Sequence, residues 1–138
     1  MNHPGHTPLA MADEIKDIIQ DKVVCDVGCG QGQFMEAMSK YAKQVIGIEN
    51  DGELANYVTQ KGFTVLAQDS FYEELPTADV YYLWTRDSMG VILKARHEGT
   101  KGIFIIGYST RPSTKKFLEN LDAEVREVEG FKVYITTL

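Results

Sequence analysis

The sequence predicts a doubly wound α/β fold: a mostly parallel seven-stranded sheet with helices on both faces and one antiparallel strand from a C-terminal hairpin. Three observations predict it. Short, strand-length apolar runs alternate with segments of helical periodicity along nearly the whole chain. The first run ends in alternating glycines, Gly28, Gly30 and Gly32, that lead into a helical segment. The last two runs are separated only by Glu129-Gly130, a hairpin turn.

Taken in order, residues 1–7 are polar, with Pro4 and Gly5, and read as a flexible lead-in to a single domain over residues 1–138. Leu9, Met11, Ile15, Ile18 and Ile19 fall at helical spacing, and Pro8 suits a first turn, so a helix is expected from Pro8 to Gln20. Val23–Val27 is a short buried strand. Phe34, Met35, Met38 and Tyr41 recur on one helical face. Gln44–Glu49 is the second strand. Asn50 or Asp51 is placed to cap a helix running to about Gln60, which Gly62 ends.

Phe63–Leu66 is the third strand and Ser70–Pro76 a loop. Ala78–Trp84 is a continuous apolar run of the kind buried on both faces of a parallel sheet. Met89–His97 is helical and closed by Gly99, and Gly102–Gly107 is the fifth strand. A short helix, Ser113–Leu121, follows Pro112. Ala123–Val128 and Phe131–Thr137 form the closing hairpin.

Composition narrows the function. The chain has 138 residues, 43% hydrophobic and 25% charged, which excludes a disordered tail and a collagen-like chain. Its net charge of -6 disfavours nucleic acid as a partner, because phosphate binding needs a basic face. Two cysteines, Cys25 and Cys29, are too few for a disulfide framework and suit a reducing compartment. No apolar run approaches the roughly 18 residues of a membrane span, and the N-terminus lacks a signal-like apolar core, so a cytoplasmic location is expected. Three scattered histidines and two cysteines have no metal-ligand spacing, so no metal is expected.

The informative stretch is Asp26-Val27-Gly28-Cys29-Gly30-Gln31-Gly32-Gln33. Glycines after a strand let the chain turn sharply and let a ligand approach the backbone N–H groups. A dinucleotide fingerprint would carry a glycine where Gln33 stands. Asp26 would repel a pyrophosphate but can meet an amino-bearing ligand. Glu49, 21 residues beyond Gly28 and at the end of the second strand, is placed to hold two ribose hydroxyls. Asp69, after the third strand, can accept a hydrogen bond from an exocyclic amine, and Phe71 can stack on a base.

These residues, with Gln68-Asp69-Ser70 and the strand order, resemble the class I methyltransferases that use S-adenosylmethionine. The resemblance covers Pro8 to Leu138. It implies S-adenosylmethionine as cofactor, with Asp26, Gly28, Cys29, Gly30 and Gly32 near its amino-acid end. It further implies Glu49 on the ribose, Asn50, Asp51, Asp69 and Ser70 around the adenine, and Leu83, Trp84 and Thr85 beside the methionine portion. No catalytic residue is assigned.

The fourth strand reads Tyr82-Leu83-Trp84-Thr85 where DNA-base amino-methylating enzymes carry a proline pair, and no cysteine stands where a pyrimidine-C5 nucleophile is expected. The run from Ala78 to Trp84, and His6-Thr7-Pro8 ahead of the first helix, are similar to the small, lid-less protein-lysine methyltransferases. That similarity implies a protein lysine amine as acceptor and a channel walled by Tyr82, Trp84 and Tyr108. The competing expectation for Tyr81, Tyr82 and Trp84 is plain strand core. A small-molecule methyltransferase, and a non-catalytic cofactor-binding module that needs a partner subunit or forms a homodimer, are the alternatives. A nicotinamide oxidoreductase is disfavoured by Asp26 and Gln33. Arg111, Lys115 and Lys116 form a small basic cluster beyond the fifth strand, with a solvated helix start as its default reading, and His97 reads as a surface residue.

Overall fold

The structure is a computed structural model and describes residues 7–69, 73–84, 88–107 and 111–138. Its strands are β1 (Val23–Val27), β2 (Gln44–Ile48), β3 (Thr64–Leu66), β4 (Val80–Leu83), β5 (Ile103–Gly107), β6 (Glu124–Val128) and β7 (Phe131–Thr137). Its helices are α1 (Met11–Glu14), α2 (Lys16–Ile19), α3 (Gln33–Met38), α4 (Gly52–Gln60), α5 (Ser88–Glu98) and α6 (Pro112–Glu119).

The seven strands form one sheet in the order β3-β2-β1-β4-β5-β7-β6. The first five pair in parallel, and β7 runs antiparallel between β5 and β6. The chain reverses between β1 and β4, and that switch opens a crevice at the strands' C-terminal ends. The β6–β7 turn places Glu129 at φ 53° and Gly130 at φ 79°, the left-handed pair that a tight hairpin needs.

Strand alternation sorts the core into two layers. Val24, Val80, Tyr82 and Ile105 face Met11, Ile15, Ile19, Phe34, Met35, Met38 and Val58. Cys25, Val27, Tyr81, Leu83, Phe104 and Ile106 face Val91, Ile92, Ala95 and Leu118 on the other side. Asp26 and Tyr82 are register partners across β1 and β4. They therefore share a face, as does Trp84 two residues on.

Most predicted elements stand with ends shifted by a residue or two. The expected helix from Pro8 to Gln20 is instead two short helices hinged at Ile15 (φ -101°, ψ 10°), which is fully buried. The third helix stops at Met38, and Tyr41 packs beyond it, its N–H donating to the Met38 carbonyl. Asp51, not Asn50, caps α4, its Oδ1 accepting from the Glu53 and Leu54 N–H groups. The fourth strand loses Ala78 and Asp79 to the preceding loop. There the Asp79 carboxylate accepts the Val23 N–H at 2.9 Å and so ties the starts of β4 and β1 together. No helix among the described residues is long and apolar enough to cross a membrane.

Candidate cofactor and acceptor site

The crevice holds a cleft of about 100 Å³ lined by Asp26, Gly28, Cys29, Gly30, Gln31 and Gln33 on the glycine-loop side. Thr7, Leu9, Phe34, Tyr82 and Trp84 line the rest. A space of that volume takes an amino-acid-sized group; pockets that enclose whole drug-sized ligands run to about 300–1,000 Å³.

Asp26 sits at the floor. It is 2% exposed, yet its carboxylate has no hydrogen-bond partner among the described residues. Burial, and then the charge of Glu49, push its pKa up to about 7. A buried carboxylate left without a protein partner is costly, and an ammonium entering the cleft would supply the missing partner.

Cys29 leaves the loop inward. A Cβ on Gly47 would lie 2.8 Å from both the Cys29 Sγ and the Met35 Sδ, so the bare backbone of β2 makes room for both sulfurs. Burial first, and then Asp26 and Glu49, push the Cys29 thiol up to about 12, which keeps it protonated and unreactive. Cys25 lies on the opposite sheet face, its thiol likewise raised by burial. Neither is a nucleophile.

Gly32 packs rather than lines. It stands at φ 82° and a Cβ there would meet the Val58 Cγ1 at 2.9 Å, so it lets α3 close against α4. Glu49 is almost buried and stands just past β2. Its Oε1 accepts the Gly30 N–H at 2.9 Å and its Oε2 accepts the Asp51 N–H at 3.0 Å. Asn50 is exposed and Asp69 half-buried, both beyond the cleft. The Leu83 side chain is fully buried in the α5–α6 layer, and Leu83 does not line the cleft. Ser70, Phe71, Thr85 and Tyr108 lie outside the described residues.

The aromatic wall divides as strand alternation dictates. Tyr81 is core, stacked on Phe104 at 4.8 Å, its hydroxyl donating to the Pro76 carbonyl. Tyr82 faces the cleft with its ring 4.6 Å from Phe34 and its hydroxyl 3.1 Å from that of Thr7. Trp84 is half-buried against Phe131, ring centroids 4.8 Å apart. The contribution of Thr7, Leu9 and Phe34 to the cleft was not predicted, because only the fold brings them there. His97, Lys115 and Lys116 are exposed on α5 and α6, away from the cleft. No metal-binding group of His, Cys, Asp or Glu occurs among the described residues.

A family model described as a methyltransferase domain matches residues 25–82, from β1 through most of β4. No curated relative matches the sequence. Solved structures match the fold. An RNA methyltransferase from Salinibacter ruber, in complex with S-adenosyl-L-homocysteine, superposes with a TM-score of 0.67 at 18% identity, over 96% of this chain and 92% of that one. A SAM-dependent methyltransferase from Aquifex aeolicus gives 0.68 at 17% identity, over 97% and 92%. Magnesium protoporphyrin IX methyltransferase from Synechocystis PCC 6803, with bound SAM, gives 0.64 at 14% identity, over 96% and 79%. The glycine loop lies inside the matched residues, and the likeness to these solved structures, a likeness of fold, extends over nearly the whole chain.

Proposed function

We propose that this chain binds S-adenosylmethionine at the C-terminal ends of β1 and β2 and transfers its methyl group to a nucleophilic acceptor. The observation that carries the reading is Asp26: a buried carboxylate, without a hydrogen-bond partner among the described residues, at the floor of a cleft sized for an amino acid. The donor set fits the cofactor. Asp26 suits its ammonium, and the Gly28–Gly30 backbone allows close approach. Glu49 spends two of about four lone-pair sites on backbone N–H groups, which leaves acceptors for two ribose hydroxyls. Asn50, Asp51, Asp69 and Ser70 are assigned to the adenine end, and Trp84 with the Leu83 backbone to the methionine end.

When bound, the cofactor supplies an electrophilic sulfonium methyl. The protein's part is to orient an acceptor against it and exclude water. Phe34, Tyr82 and Trp84 offer an apolar wall, and aromatic faces attract a cation or the stem beneath it. A protein lysine amine is the acceptor this wall suits. Burial raises the Tyr82 phenol above its ordinary pKa, so it stays protonated and makes a poor base. An amine entering this wall is desolvated, which lowers its own pKa and favours the neutral, nucleophilic form. The net charge of -6 disfavours RNA as acceptor. RNA and magnesium protoporphyrin are named for the similar structures, and acceptors vary freely on one fold.

The test uses S-adenosylmethionine carrying a radiolabelled methyl group, with separated protein, RNA and small-molecule fractions of a cell lysate. Label recovered as methyl-lysine after acid hydrolysis, and reduced in Trp84→Ala, supports the reading. Label confined to RNA or small molecules overturns the lysine acceptor, and label in no fraction overturns transfer by the isolated chain.

A further inference from the structure

The hydrogen bonds of the glycine loop single out Glu49. The Gly28 and Cys29 N–H groups both donate to the Ile48 carbonyl, at 2.8 and 3.0 Å, and the Gly32 N–H donates to the Cys29 carbonyl at 3.0 Å. Those three are held by backbone. Gly30 is different: its N–H is held by a side chain, the Glu49 carboxylate, at 2.9 Å. Gly30 stands at φ 55°, and a Cβ there would meet nothing within 4 Å. A side chain there would find no neighbour to pack on, and the Glu49 bond is the contact that bears on the direction of the Gly30 N–H.

The other Glu49 oxygen accepts the Asp51 N–H at 3.0 Å. Asp51 is in turn the cap of α4. One nearly buried carboxylate therefore ties the middle of the loop to the start of the next helix, across the end of β2. Hydrogen bonds from neutral N–H groups to a carboxylate are stronger than those between neutral groups.

We infer that Glu49 is a positioning residue for the glycine loop: it holds Gly30 and the α4 cap in their ligand-ready arrangement, in addition to any contact it makes with a ribose. Binding then costs little loop ordering, because the loop is already pinned. The inference deepens the proposed cofactor site, and its first test does not depend on that reading.

That test is amide hydrogen exchange on the ligand-free protein, by NMR, in wild type, Glu49→Gln and Glu49→Ala. Glutamine keeps one acceptor oxygen, so one of the two amides retains protection. The expected result in Glu49→Ala is exchange at Gly30 and Asp51 at least tenfold faster, with β1 and β4 core amides unchanged. Unchanged exchange at Gly30 and Asp51 in a folded variant overturns the inference. Should Glu49→Ala fail to fold, Glu49→Gln decides, by faster exchange at one of the two amides or at neither.

The second arm separates positioning from ribose contact. Affinities of wild type and Glu49→Ala are compared for S-adenosylhomocysteine and for its 2′,3′-dideoxy analogue. Positioning predicts a several-fold loss for both ligands. A loss confined to the parent ligand means ribose contact alone and overturns the inference. Wild type that binds neither ligand refutes the cofactor reading, and the exchange result still decides the role of Glu49.

Discussion

The hydroxyls of Thr7 and Tyr82 lie 3.1 Å apart although 75 residues separate them in sequence. The bond fastens the segment ahead of α1 to the aromatic wall of the cleft, where Tyr82 already packs on Phe34. Tyr82→Phe keeps the ring and removes the bond. Thr7 is half-buried and can turn its hydroxyl to water, so the expected loss of stability is about 1 kcal/mol. The same variant is expected to raise the KM for the acceptor more than it lowers kcat, because it loosens a wall rather than the cofactor floor. Urea denaturation and steady-state kinetics check the two halves.

Asp26 predicts a pH dependence. Its folded pKa, about 7, lies above the ordinary 3.8 of an unfolded aspartate. Ionisation is therefore disfavoured in the fold. The cost is absent below about pH 4, grows as pH rises toward 7, and is constant above it. Asp26→Asn is expected to stabilise the ligand-free protein at pH 8 by up to about 4 kcal/mol, and by much less at pH 4. Denaturation of both proteins at the two pH values checks the sign. An ammonium beside Asp26 draws its pKa down, so binding near pH 6.5 releases a proton and binding at pH 9 does not. Calorimetry in buffers of different ionisation enthalpy reads that release.

Gly107 predicts a packing constraint on Trp84. A Cβ at position 107 would fall 2.1 Å from the indole Cε3, well inside any real contact. Gly107→Ala must displace the ring, at a cost of about 1–3 kcal/mol. Trp84 is the chain's single tryptophan, so its emission reports the change directly. An unshifted spectrum with unchanged stability would show that the ring does not lie on Gly107.

Much of this was legible in the sequence because it rests on local rules. The strand-length runs marked all seven strands to within two residues, and Glu129-Gly130 marked the hairpin, since strand patterning and turn chemistry are properties of neighbouring residues. The break at Ile15 was not legible: its spacing continues a helical stripe, and only packing under the sheet makes the chain bend there. In the site, Asp26, Gly28, Cys29, Gly30 and Trp84 come together around one cleft. Gly32, a residue of the glycine loop, also spaces two helices, and that was not legible because contact with Val58 depends on where α4 lands. Leu83 points the other way from Tyr82 and Trp84, which strand alternation alone could have told. Asp79 read as part of a resemblance, whereas in the fold it holds the first N–H of β1.

Arg126 ties the edge of the sheet to the opening helices. Its guanidinium meets both oxygens of Asp17 at 2.6 and 2.9 Å, and donates to the Glu14 carbonyl at 2.8 Å. The side chain of Asp17 is 60% exposed, so screening limits its worth. Asp17→Asn is expected to cost about 0.5–1 kcal/mol in low salt and less in high salt. The Arg126 contact lowers the Asp17 pKa, so this contribution is present above about pH 4 and fades as pH falls below it. Denaturation at two salt concentrations and two pH values tests it.

Asp26 floors the proposed cofactor site. Calorimetric titration of the purified chain with S-adenosylmethionine and S-adenosylhomocysteine, with NAD as control, tests it most directly. Saturable binding of both sulfur ligands at one site per chain is expected, weakened at least tenfold in Asp26→Asn, with no binding of NAD. Folded protein that binds neither sulfur ligand, or that binds NAD in their place, would contradict it.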